Sequence, residues 1–243
     1  MDGIWGPPTA SMDWCEANYA HTPWVAEAWN TASSVAMVLS GVWLLATRAA
    51  TSERRMVVAY ALMAAVGLGS IAFHATLLQA TQMLDQLPMV YLVVLLTWVL
   101  TQLDPRRVAG TWLPAALCGY AAVVTGIALG ARGQAQFVFF HLSFASLEVY
   151  CLLRLLVLQR RSRDPGLRRR FRWAFGAYLS AVAVWFADLY GCDFLTTGVL
   201  GYGLPRIEWH AVWHLGISAA FTVLLGVIAD LRRELQRAAL GPR

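Results

Sequence analysis

Residues 208–230 read EWHAVWHLGISAAFTVLLGVIAD. Between Glu208 and Asp230 there is no charged side chain, and the run matches the roughly 20 apolar residues needed to cross the hydrocarbon core of a bilayer. Two histidines, His210 and His214, stand four apart at its start. In a helix both imidazoles project from one face, one turn apart. Polar groups inside a membrane span are expensive and mark function.

The rest of the chain has the same character. Of its 243 residues, 58% are hydrophobic and 14% charged, where a soluble domain carries roughly 25% charged residues. Six further apolar runs, at 24–47, 56–77, 84–103, 109–130, 136–158 and 173–191, precede the one at 209–230. The composition therefore predicts an all-α integral membrane bundle of seven transmembrane helices. It divides into an outer segment (1–23), the seven-helix domain (24–230) and a basic cytoplasmic tail (231–243). The first 23 residues do not read as a signal peptide, because Pro7, Pro8, Asp13 and Glu16 stand where a basic region and an apolar region belong.

All 19 basic residues are arginine. Sixteen of them follow the first, third, fifth and seventh spans; the opposite connections hold only Arg132 and Arg206. By the positive-inside rule the N-terminus is expected outside and the C-terminus in the cytoplasm. The basic stretch RRSRDPGLRRRFR (160–172) is explained by anionic lipid headgroups, so no nucleic acid partner is expected. Membrane lipids are the expected surroundings, and no obligate protein partner is implied. The absence of lysine excludes a retinal Schiff base. An arginine-only, short-loop composition suggests a bacterial cytoplasmic membrane, or an endomembrane if the source is eukaryotic.

With this orientation, His210 and His214 lie near the outer end of the seventh span, His74 near the outer end of the second, and Asp85 in the first turn of the third. Single histidines are usually packing residues, and an aspartate at a helix start commonly complements the helix dipole. Three histidines at one depth, however, match the ligand set of a catalytic zinc, which keeps its fourth position for water. The metalloprotease motif does not apply, because Ala211 stands where its glutamate should follow the first histidine. His141 lacks a partner at helical spacing and reads as a packing or pocket residue. Glu148 and Arg154 are too far apart to pair along one helix; Asp188 and Asp193 are candidates for binding a polar headgroup. Cys118 and Cys151 fall inside spans as small packing residues. Cys15 and Cys192 both fall outside, where disulfides persist, and a bridge would tie the N-terminal segment to the loop before the seventh helix.

Ser70 and His74 in SIAFH, Asp85 in MLDQLPM, and His210 with His214 in HAVWH together resemble the alkaline ceramidase family, within the larger group of seven-helix membrane hydrolases that includes the adiponectin receptors. The N-terminal MDWCEANYAHTPWVAEAWNTASS (12–34) resembles that family's calcium-binding segment. The resemblance implies zinc held by His74, His210 and His214, and calcium held by Asp13, the Trp14 carbonyl, Glu16, Asn18 and Glu27. A calcium ion takes six to eight hard oxygens, which this acidic segment can supply, although its spacing is not that of an EF-hand. It further implies Asp85 as the general base, Ser70 as a donor to the developing oxyanion, and the N-acyl amide of ceramide as substrate. A receptor or other seven-helix hydrolase acting on a different acylated lipid is the alternative; the short outer segment favours the ceramidase branch.

Overall fold

A computed structural model describes residues 3–103, 110, 112–194 and 207–240. Among them are seven helices long and apolar enough to cross a membrane. They are α1 (Ala28–Arg48), α2 (Arg54–Thr76), α3 (Gln79–Thr101), α4 (Trp112–Gly130), α5 (Gly133–Leu158), α6 (Pro165–Asp193) and α7 (Trp209–Leu240). Their outer faces carry Leu39, Trp43, Leu68, Leu84, Val123, Leu142 and Leu153, all exposed, as a lipid-facing surface requires. The chain is a multi-pass membrane protein.

Three boundaries differ from those read off the hydropathy. The third helix starts at Gln79, not near residue 84, so Asp85 lies in its second turn. The actual break is the dipeptide Leu77–Leu78: Leu77 adopts a left-handed conformation (φ 52°) and Leu78 an extended one. Pro88 sits inside α3. Its missing N–H leaves the Leu84 carbonyl without its helical donor. That carbonyl and the Asp85 backbone nitrogen lie against Gly69, where a β-carbon would collide with both. Glycine at 69 therefore lets α2 and α3 touch at the level of Ser70 and Asp85.

The basic stretch after α5 is largely helical rather than a loop. Pro165 occupies the first turn of α6, and the Asp164 carboxylate accepts the Gly166 amide at 2.8 Å. Likewise α7 runs on through the proposed tail to Leu240, with Leu231 and Arg232 buried.

The main apolar core occupies the arginine-rich half of the bundle. Met56, Tyr60 and Met63 of α2 pack there with Leu96, Val99 and Leu100 of α3, Leu155 of α5, Phe171 of α6 and Leu225, Ile228 and Leu231 of α7. Below it, Asp230 gathers Arg48 at 2.9 Å, Arg170 at 2.8 Å and Arg233 at 2.5 Å. Arg232 reaches Glu53 at 2.7 Å. These arginines, counted above only for their sign, tie α1, α2, α6 and α7 together. The α1–α2, α2–α3, α6–α7 and α1–α7 pairs make the main interfaces, whereas α5 and α6, although consecutive, barely meet. Of the membrane cysteines, Cys151 is buried and Cys118 is exposed on α4, so only the first is a packing residue.

Candidate metal centre and lipid cavity

The end opposite the arginines is built on polar groups. His74 lies in the last turn of α2, and His210 and His214 in the first two turns of α7. All three are at most 2% exposed. One ligating atom from each lies within 4.8 Å of the others, and the His210–His214, His74–His214 and His74–His210 ring centroids are 4.7, 4.9 and 5.2 Å apart.

Each ring turns its Nδ1 toward an oxygen. His74 Nδ1 is paired with Glu27 Oε2. His214 Nδ1 lies 2.8 Å from Ser33 Oγ. His210 Nδ1 faces Asp188 Oδ2 at 3.8 Å, too far to bond, and neither of these two buried atoms has a hydrogen-bond partner. This is the arrangement in which outer carboxylates and hydroxyls fix the tautomer of metal-binding histidines and free Nε2 for the ion. Buried imidazoles facing one another, with their Nδ1 atoms already directed outward, fit a divalent metal of the zinc type.

Glu27 was expected only as a calcium ligand. Its Oε1 also accepts the Trp14 amide at 3.2 Å, and its Oε2 accepts the Asn30 side-chain amide at 3.1 Å. One buried carboxylate thus joins the N-terminal segment to the histidine cluster. Asn30 stands out in the sequence, with Glu27, as a polar residue inside the first apolar run; Ser33, Ser34 and the Asp188–His210 pairing escape sequence reading altogether. Ser33 and His214 are 181 residues apart, and no local pattern marks such a contact. Asp188, expected at a headgroup, instead faces His210; the side chain of Asp193 lies outside the described residues.

The N-terminal segment folds over this end as a cover. Thr9 and Ala10 donate to the Leu77 carboxyl-side carbonyl, each at 3.0 Å, and Ala26 and Glu27 donate to Ala75 and His74 at 2.9 and 3.0 Å. Ser11 bonds Gln82 of α3 and Gln136 of α5, and Gln136 bonds Gln86. Cys15 and Cys192 are joined by a disulfide. Trp14 stacks on His210 with centroids 3.7 Å apart.

Within the expected calcium set, Glu16 has a second task. Its two oxygens accept the amides of Trp29 and Asn30 at 2.7 and 2.9 Å, donors at the start of α1 that Glu27 leaves uncapped. Burial pushes the Glu16 carboxyl above the ordinary carboxylate range, against the pull of those two amides. Asn18 Nδ2 donates to both Asp13 oxygens, at 3.0 and 3.1 Å, while the buried Asn18 Oδ1 has no partner. An orphaned carbonyl oxygen beside carboxylates suits a hard cation.

The histidines open onto a cavity of about 590 Å³ that also exposes Ser70, Asp85 and Trp14. Ser70 Oγ lies 2.9 Å from Ser34 Oγ. His141 also faces this space, with Nδ1 donating to the Phe137 carbonyl at 2.7 Å. The remaining walls are mainly Met, Leu, Val, Ile and aromatic side chains, with Gln82, Gln86, Glu148 and Tyr178 as polar exceptions. Val138, Leu142 and Val149 of α5 and Phe186 and Tyr190 of α6 line it while also exposed on the outer surface, so the slot between α5 and α6 opens sideways toward lipid.

The family model for ceramidase matches residues 6–240. The chain is 30% identical to alkaline ceramidase 3 of Mus musculus over 93% of its own length and 85% of the relative's. It is 26% identical to the alkaline ceramidase of Arabidopsis thaliana, covering 89% of this chain and 83% of that one. It is likewise 26% identical to alkaline ceramidase YPC1 of Saccharomyces cerevisiae, covering 88% and 74%. These relatives are eukaryotic and lend no support to the bacterial membrane read from composition. With its length matched almost throughout, the chain belongs to the ceramidase family.

Proposed function

We propose that this protein is a zinc-dependent intramembrane amidohydrolase that cleaves the N-acyl amide of ceramide with water, yielding a sphingoid base and a fatty acid. The observation that carries the reading is the convergence of three buried histidines, Asp85 and Ser70 on one apolar cavity, in a chain whose relatives are named alkaline ceramidases.

His74, His210 and His214 would hold the metal. A zinc ion held there would lower the pKa of water to about 7 and polarise a carbonyl. Asp85 takes a proton from the attacking water and returns it to the amide nitrogen as the C–N bond breaks. Ser70 donates to the oxygen on which negative charge develops. Glu27 and Ser33 hold the rings of His74 and His214 in their ligating tautomers. The apolar walls take the two hydrocarbon chains, which reach the cavity from the bilayer through the α5–α6 slot. The polar end lies in the outer leaflet, following the arginine distribution.

Calcium would be held by Asp13, the Trp14 carbonyl, Glu16, Asn18 and Glu27. Because Glu27 also holds His74, a cation there would brace the histidine cluster. The test is release of fatty acid from a fluorescent ceramide by the purified protein and by its His214→Ala variant, with metal analysis of both. Hydrolysis and bound zinc lost together in the variant support the reading. Zinc bound with no turnover on any ceramide refutes the substrate and leaves the metal centre.

A further inference from the structure

Deep in the cavity one carboxylate has no place in the mechanism above. Glu148 of α5 accepts a hydrogen bond from the Tyr178 phenol of α6, and both side chains line the cavity. Around them the lining is hydrocarbon and ring: Phe144, Leu152, Val182, Ile217 and Phe221, the last with its ring centroid 6.2 Å from that of Tyr178.

Their depth follows from three helices that keep step. His141 and Trp185 face each other across the cavity with centroids 5.3 Å apart. Trp185 in turn lies 6.3 Å from Trp14, which covers His210. Glu148 is seven residues beyond His141, Tyr178 seven before Trp185, and Phe221 seven beyond His214. Seven residues are two helical turns, about 10 Å. The pair therefore sits about 10 Å further into the bundle than the histidines.

A carboxyl group presents about four hydrogen-bonding sites, and the Tyr178 phenol occupies one. A saturated chain threaded past it offers nothing to the others and leaves those sites of a buried polar group unfilled, which is costly. A hydroxyl on that chain satisfies it in either protonation state, as donor to the carboxylate or acceptor from the acid. We propose that Glu148, held by Tyr178, is a specificity-determining residue that recognises a hydroxyl carried mid-chain on the bound lipid. The inference rests on the reading of this cavity as a lipid-amide site. The hydroxyl could belong to the acyl chain or to the sphingoid base, and the same chemistry serves both.

The test compares matched lipids on the purified full chain. N-octadecanoyl-sphingosine is set against N-(10-hydroxyoctadecanoyl)-sphingosine, and a third substrate carries the hydroxyl mid-chain on the sphingoid base instead. Octadecanoic and 10-hydroxyoctadecanoic acid are compared in parallel as competitors for a bound fluorescent fatty acid, which needs no turnover. The expected result is about a tenfold preference for one hydroxylated form in kcat/KM, matched in the competition when the acyl chain carries the hydroxyl, the scale of one buried hydrogen bond. Glu148→Leu abolishes or inverts the ratio, and Glu148→Gln keeps most of it. A residue that only ties α5 to α6 would change stability and leave the ratio alone.

Which arm shows the preference assigns the chain. Ratios within twofold of one in the native protein, in every arm, overturn the proposal without any variant; so does a ratio that Glu148→Leu leaves unchanged. If no ceramide is cleaved but the hydroxy acid still competes better, the hydrolase reading fails and the hydroxyl site stands.

Discussion

Helix α7 passes through both halves of this molecule. Toward its C-terminal end Val227, Ala229 and Leu231 are buried among side chains of α2, α3 and α6, off the lipid cavity, whose last lining residue on α7 is Ile228. Toward its start His210, His214 and Ser218 are buried just as fully, yet their surroundings are carboxylates, hydroxyls and open space. In lipid, apolar burial brings little hydrophobic gain, since the tails are as apolar as leucine; helices associate through close packing and interhelical polar bonds. The arginine end uses the first means and adds the Asp230 network. The histidine end relies on the second and leaves a hole. The two ends should therefore fail differently when cut.

The largest difference is expected at the histidine end. His214→Ala should lower amide hydrolysis on the order of a thousandfold, as removal of a metal ligand does. Stoichiometric metal should go with it, while thermal unfolding of the bundle moves by only a few degrees. Retained metal with retained turnover would sink the centre as assigned.

Leu231→Ala probes the other end. A buried leucine truncated to alanine loses about 2–5 kcal/mol, more when the site cannot collapse, and Leu231 is 0% exposed and lies off the lipid cavity. We expect a clear drop in unfolding temperature with kcat of the folded protein within twofold of native. If kcat fell as steeply as stability, the two halves would be one coupled unit and the contrast would be wrong.

How far these halves were visible in advance depends on what marks them in the chain. The spans were legible because each is a long apolar run, and the histidine pair because its spacing of four fits one helix face. Helix starts were less so. Asp85 suggested a boundary, but the chain turns at Leu77, an ordinary leucine in a left-handed conformation whose carbonyl receives Thr9 and Ala10. Those contacts come from a segment nearly 70 residues earlier, and no property of Leu77 announces them. The basic stretch read as a loop because charge dominates it, although the Asp164–Pro165–Gly166 start of α6 was present in the letters. The supports of the histidines were invisible for the same reason as Leu77. Ser33, Glu27 and Asp188 become partners only when α1, α2, α6 and α7 come together.

Glu27→Gln sharpens the contrast from within the polar end. It preserves shape while removing the charge that faces His74 and the N-terminal segment. A lost outer partner typically costs about 10–100-fold in metal affinity or activity. We expect that loss in hydrolysis, together with a weaker response of the remaining activity to added calcium. Full activity with an unchanged calcium response would mean that Glu27 only fills space.

The smallest effect separates two serines that share one proton. Ser34 Oγ lies 2.7 Å from the Asn30 carbonyl, which can only accept, and 2.9 Å from Ser70 Oγ. A hydroxyl has one hydrogen to give. If Ser34 gives it to Asn30, Ser70 rests by donating to Ser34, and must turn its hydrogen away to reach the developing oxyanion. Ser34→Ala then removes only a resting acceptor, and activity should stay within about threefold of native, the scale of less than one net hydrogen bond. Ser70→Ala should cost about a hundredfold, as loss of an oxyanion donor does. Because both act through one proton, the double variant should match Ser70→Ala alone rather than the product of the two. If instead Ser34→Ala were the costly change and Ser70→Ala the mild one, the donor would be Ser34, and the hydrogen-bond direction argued from Asn30 would be reversed.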